Sequence, residues 1–268
     1  MSTASRIDSA PAIVSRRRGG VRTRLGQAAA VCACGIGLAS AAVAQATQPD
    51  SRPTVAAMPY FNNSSVSANR ADFDALGKGI SDVLITELAA NPTIRVIERD
   101  RVQQLMDEQN LSTAGRIDKE TAVKVGKLIG VHHMIFGGFL VDQRGTMRLD
   151  ARVVNVETSL VEHVETVTDK ADNLLAVLST IADKLNKGMK LPPLPAGVVK
   201  PALNSEATKP GRWRDLILYA RAEDANDKKD RTRALALYKE FLQKSPTTVL
   251  ASQRQRAELK VRELSAGS

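Results

Sequence analysis

Three histidines, two cysteines and a scatter of carboxylates are the side chains here with chemistry within reach. His132 and His133 open an apolar, β-branched run. Neighbours on a strand point to opposite faces, so these two cannot chelate one ion together. His163 stands apart, and a surface or strand-edge place is expected for all three. No nucleophile stands at a readable spacing from a base. Glu98-Arg99 and Asp107-Glu108 sit at helix ends, where solvated charge is the expected role. Gly77-Lys78-Gly79 lies inside a helical pattern and lacks the strand-to-helix context of a phosphate cradle. Gly137-Gly138 falls within a strand, which marks a bulge or close packing. The expectation is a protein that is not an enzyme and takes no cofactor and no metal.

The cysteines belong to a different story. Arg16, Arg17, Arg18, Arg22 and Arg24 precede an uncharged run from Leu25 to Ala44 that closes on Ala42-Val43-Ala44, the order of a secretory signal peptide. Gly26, Gln27, Gly35, Gly37 and Ser40 dilute the run, whereas a spanning helix needs about 20 predominantly apolar residues. Residues 1–44 therefore read as a leader and 45–53 as a flexible segment. A chain starting near Gln45 has no cysteine, hence no disulfide, thiolate nucleophile or cysteine metal site. The alternative use of the same residues is lipidation at Cys34, behind Val31-Cys32-Ala33. Six arginines and Asp8 lie in the leader, so the net charge of +9 falls to +4 without it. With 3% aromatic residues there are few stacking platforms, and nucleic acid is not an expected partner.

The elements that must position any site follow from periodicity. Thr54 to Phe61 reads as a strand stopped by Asn62-Asn63-Ser64-Ser65. Phe73, Leu76, Ile80, Val83, Leu84 and Leu88 share one helical face, ended by Asn91-Pro92. Ile94 to Ile97 is a short strand, and Val102, Leu105 and Met106 mark a second helix, broken by Leu111-Ser112-Thr113-Ala114-Gly115. Asp118 is the expected N-cap of a third helix and Gly130 its end. Three strands follow, His133 to Val141, Met147 to Val156 and Leu160 to Thr168, joined tightly as an antiparallel meander. In the second, Met147, Leu149, Ala151 and Val153 alternate with Arg148, Asp150 and Arg152, the period of a sheet with one wet face. The first is apolar on both faces and should be central. A fourth helix carries Leu174, Leu175, Leu178, Ile181 and Leu185. The order β-α-β-α-α-β-β-β-α gives an α/β fold, a mixed sheet with helices covering one face.

Residues 191–211 hold Pro192, Pro193, Pro195, Pro201 and Pro210 and read as a semi-extended linker between the α/β domain, 54–190, and a small all-α module, 212–268. The module resembles a tetratricopeptide repeat in Leu216-x-x-Tyr219-Ala220, Ala234-x-x-x-Tyr238-x-x-Phe241 and Pro246. A lone repeat cannot bury its own core, so it must dock on its neighbour domain or on another chain. Trp213, Tyr219 and Tyr238 are the candidates for a partner-binding face.

Val55 to Ser64, Val96-Ile97-Glu98-Arg99, Leu105 to Leu111 and Gly126 to Val131 resemble, in this order, the CsgG family of curli production assembly/transport components. Its fold is similar to the TolB N-terminal, FlgO and LpoB domains and to anticodon-binding folds. The resemblance spans roughly Thr54 to Met189. It implies a non-enzymatic part in envelope secretion or assembly, with self-association and other envelope proteins as partners. The implied location is periplasmic, with peripheral association with the outer membrane. In the family's channels the segment after the first strand lines the ring, which implies Tyr60, Phe61, Asn62 and Asn63 as ring-facing or partner-facing candidates. It also leaves two other functions open, an outer-membrane secretion pore and an activator of a peptidoglycan synthase. The connections Asp142 to Thr146 and Glu157 to Ser159 are short for membrane hairpins, whose strands need about 9 to 11 residues each.

Overall fold

Thr54–Ala57 (β1) is buried on both faces, the pattern of a strand with a layer on either side. Pro59 lacks a backbone donor, and around it the chain leaves the sheet: the Tyr60 N–H donates to the Gly77 carbonyl of a helix at 3.0 Å. Pairing resumes at Phe61–Asn62 (β2), parallel to a later stretch of the same neighbouring strand. The single strand expected from Thr54 to Phe61 is therefore two. The computed structural model describes residues 50–64, 70–111, 117–191 and 205–266; the leader, Cys34, the breaker at Ser112 to Gly115 and most of the Pro-rich linker lie outside them.

The remaining elements are Arg70–Ala89 (α1), Arg95–Val96 (β3), Arg99–Glu108 (α2), Lys119–Ile129 (α3), His133–Val141 (β4), Thr146–Asn155 (β5), Val161–Lys170 (β6) and, after a 3-10 turn, Leu174–Gly188 (α4). The sheet runs β3-β1-β4-β5-β6 with β2 beside β4. β3, β1 and β4 are parallel; β4, β5 and β6 form the antiparallel meander with β4 central. Caps fix the helix that precedes β4. The Asp118 carboxylate accepts the Thr121 N–H at 2.8 Å, and that bond holds its pKa below the usual carboxylate range. Gly130 ends the helix with a left-handed φ of 77°, a conformation that costs glycine little.

Two apolar clusters divide at the sheet. Val55, Ile135, Phe139, Leu149 and Val153 pack with α1 and α4. Ala56, Met58, Met134, Phe136 and Val154 pack with α2 and α3. Helices therefore lie on both faces, where the sequence suggested one. The reason is legible in β1 and β4, whose successive residues are both apolar. Past α3 no described helix covers the second face, and there Arg148 and Arg152 of β5 are exposed.

Trp213–Asp227 (α5), Arg231–Lys244 (α6) and Ala251–Ala266 (α7) form the C-terminal helices. They dock on α1, whose two glycines explain how it carries a neighbour on each side. Gly77 and Gly79 are about 200° apart around the helix. A Cβ at Gly77 would lie 1.9 Å from the Tyr60 carbonyl oxygen, and one at Gly79 would lie 3.0 Å from Leu216 and 3.1 Å from Ala220. The Gly77→Ala substitution forces two backbones apart and is expected to cost about 1–3 kcal/mol, measured as a lower urea midpoint. An unchanged midpoint would show that the β1–β2 connection can yield.

Candidate functional site

The segment Pro59 to Asn62 forms one wall of a cleft of about 530 Å³, with α1, α2 and the end of α5 as the others. The Asn62 side-chain amide donates to Asp74 at 2.8 Å, and its carbonyl accepts the Ser64 N–H at 2.9 Å. Phe61 is half-buried against the α2–α3 cluster. Asn63 is exposed, its N–H held by the Phe139 carbonyl at 2.7 Å. Lys78 spans the floor, 3.0 Å from Asp224 and 2.8 Å from Asp227. Phe61, Met106 and Pro59 add apolar surface beside these paired charges. Such a wall suits contact with a polypeptide better than proton transfer.

Behind the cleft the charges go under cover. Arg99, the first residue of α2, is fully buried and reaches Asp227 at 2.9 Å, Asp100 at 2.9 Å and Glu223. Burial opposes its charge, but Glu223 and Asp227 outweigh burial and hold the guanidinium well above its usual pKa. Glu223 has no exposure and accepts the Tyr238 hydroxyl at 2.7 Å; desolvation raises its pKa despite Arg99. A second buried acid, Asp82 of α1, is met by Arg256 and by the Gln253 amide at 3.1 Å, both from α7. Arg256 also holds Glu98 at 2.6 Å, and Lys260 holds Asp100 at 3.2 Å. The ion pairs thus tie α1 and α2 to α5 and α7.

This overturns the expectation of solvated charge at Glu98-Arg99: Arg99 is the hub of a buried network. Sequence did carry a signal for its partner. Leu216, Tyr219, Ala220 and Glu223 follow i, i+3, i+4, i+7, which puts a carboxylate on the buried stripe of α5, and a carboxylate there needs a cation.

Of the ring-facing candidates, the structure brings Tyr60, Phe61 and Asn62 to the cleft. Tyr60 is 3% exposed, its ring against Gly137. Burial raises its pKa. Of the partner-face candidates only Trp213 reaches the surface. It stacks on Phe73 with ring centroids 6.2 Å apart, and its indole N–H donates to Asp172 at 2.7 Å. Tyr219 and Tyr238 are fully buried, with Phe241 5.5 Å from Tyr219, and cannot present a surface to a partner. They fill the seam between α5 and α6 instead, because their stripe is the one that faces inward.

The histidines stand apart, as their spacing required. His132 Nδ1 lies 2.7 Å from the Thr54 hydroxyl, His133 pairs with Glu162 at 2.9 Å and His163 with Glu165 at 3.0 Å. Among the described residues no three His, Cys, Asp or Glu side chains are placed to hold a metal, and no helix is long and apolar enough to cross a membrane.

These features define a mixed α/β protein whose C-terminal helices are ion-paired to its helical layer. Within that class, residues 37–141 are similar to the family described as curli production assembly/transport component CsgG. The match begins inside the segment read as a leader and ends with β4. It fits an envelope-associated secretion or assembly role. No curated protein matches the chain. Among solved structures, the LpoB C-terminal domain from Salmonella enterica is 14% identical, with 44% of this chain and 84% of that one covered and a TM-score of 0.33. TolB from Acinetobacter baumannii is 11% identical, with 52% and 28% covered and a TM-score of 0.34. A PelC dodecamer from Paraburkholderia phytofirmans is 10% identical, with 52% and 89% covered and a TM-score of 0.32.

Proposed function

We propose that this protein is a non-enzymatic, periplasmic component of envelope secretion or assembly, peripheral to the outer membrane, which acts by self-association and protein binding. The family match over residues 37–141 carries this reading. The cleft beside Tyr60 to Asn62 supports it, because its charges are already paired and its apolar surface is what a docked polypeptide would cover. The turns that join β4 to β5 and β5 to β6 favour a scaffold over a pore, since neither adds a membrane-length segment. The leader belongs to the same proposal, with cleavage after Ala44.

The test is made on the protein exported by a Gram-negative cell. Its N-terminus is expected at Gln45, and cross-linking in envelopes should capture envelope proteins with the wild type but much less with Phe61→Asp in the cleft. Planar bilayers should stay silent. A chain retained in the cytoplasm, or captures indifferent to Phe61→Asp, would remove the reading; conductance would replace it with the pore, and stimulation of a peptidoglycan synthase with the activator.

A further inference from the structure

Among the described residues the long edge of the sheet is β6. The opposite edge, β3, spans only Arg95–Val96, whereas β6 runs from Val161 to Lys170 with no strand on its outer side among the described residues. Alternate residues of an edge strand aim their N–H and C=O groups away from the sheet, so such an edge is a template for another strand. Proteins commonly guard it with proline or lysine. β6 has no proline, and its only lysine is its last residue. Leu160, Val161 and Val164 are 65%, 41% and 54% exposed.

We infer that β6 pairs antiparallel with β6 of a second copy, about a twofold axis at Val164. The inference names the surface for the self-association proposed above and rests on that reading. In a continuous sheet the axis must pass through one residue and its own copy, because opposed side chains lie on the same face. Centred on Val164, the strand is complementary to itself. Val164 meets Val164 and His163 meets Glu165 on both sides of the axis, and the bulge at Glu162, where the register with β5 shifts, ends the regular pairing. Charge decides against the adjacent centres. An axis at Glu165 sets that carboxylate against itself. One at His163 sets the bulged Glu162 against Val164, next to the axis. Lys184, 3.0 Å from Glu165, adds a cation on the same face of the seam.

Single cysteines read the register, in full-length protein with Cys32→Ser and Cys34→Ser. Opposed Cβ atoms across such an axis are about 4.5–5.5 Å apart, near disulfide reach. Val164→Cys should therefore form a covalent dimer on mild oxidation. Thr166→Cys should not, because its copies lie about 13 Å apart along the strands. Val164→Lys should weaken the dimer at least about tenfold in sedimentation, with an unchanged circular dichroism spectrum as the folding control. Self-association without a Val164→Cys cross-link, cross-linking through Thr166→Cys instead, or indifference to Val164→Lys would overturn the edge pairing and leave the self-association reading standing. A chain that stays monomeric at every concentration would sink both.

Discussion

Arg99→Met is expected to lower the unfolding free energy by about 3–5 kcal/mol at neutral pH, because it strands buried carboxylates without their cation. Glu223 has no exposure and Asp227 little, and methionine offers neither a charge nor a donor. The stem of the side chain is retained, so lost packing contributes little. A companion variant, Arg99→Met with Glu223→Gln, should recover part of the loss, since removing a buried charge together with its partner is far less costly than removing one. Urea denaturation of Arg99→Met, Glu223→Gln and the double variant gives the coupling directly. Equal losses in Arg99→Met and the double variant would mean that Asp227 is the partner that counts.

The pH dependence has a definite sign. The pKa of Glu223 is raised in the folded protein by burial, so its contribution is most favourable below its unfolded value and is lost as pH rises through the folded one. Without Arg99 that rise is larger. Asp100 is held low, against burial, by Arg99 and Lys260. It contributes stability above its unfolded pKa that disappears on acidification, and losing Arg99 shrinks that contribution as well. Both effects act in one direction. The deficit of Arg99→Met should be largest near pH 7 and smaller near about pH 5. A deficit that is the same at both pH values would mean that Glu223 remains ionised in the variant.

What the sequence revealed and what it hid have separate physical causes. Period-two alternation in β5, doubled apolarity in β4 and the caps at Asp118 and Gly130 are local signals, and the elements fall where those signals put them. The ion pairs are not local. Arg99 meets residues more than 120 positions away, and nothing beside Arg99 in the chain announces burial. Only the other end of the contact speaks, through a glutamate on the apolar stripe of α5. The tyrosines of α5 and α6 mislead for a related reason. Tyr219 and Tyr238 look like surface aromatics until it is clear that α5 is covered twice, by α1 on one side and by α6 on the other.

The second large effect is expected at Leu216, the residue of α5 seated on Gly79. It has no exposure, and Leu216→Ala should cost about 2–5 kcal/mol because the rigid α1 backbone beneath cannot collapse into the space. How the loss appears tests the organisation of the chain. The Pro-rich stretch at 191–211 reads as a boundary between two domains, yet one apolar cluster runs from Val55 in β1 through Leu84 in α1 to Tyr219 in α5 and Phe241 in α6. A continuous core joined by buried ion pairs should unfold as a unit. Trp213 is the only tryptophan, and it stacks on Phe73 of α1, so its fluorescence reports the docking of the C-terminal helices. In wild type and Leu216→Ala alike, that fluorescence and the far-ultraviolet circular dichroism should change together in urea, at a lower concentration in the variant. If fluorescence moves first in the variant while most helical and strand signal persists, the helices are a separately folding module and the proline boundary is a domain boundary. The geometry at Gly79 argues for the former. Undocking would bare the α1 stripe and strip Asp82 of Arg256 and Arg99 of Glu223 and Asp227 at once, so partial opening would sacrifice nearly as much as complete unfolding.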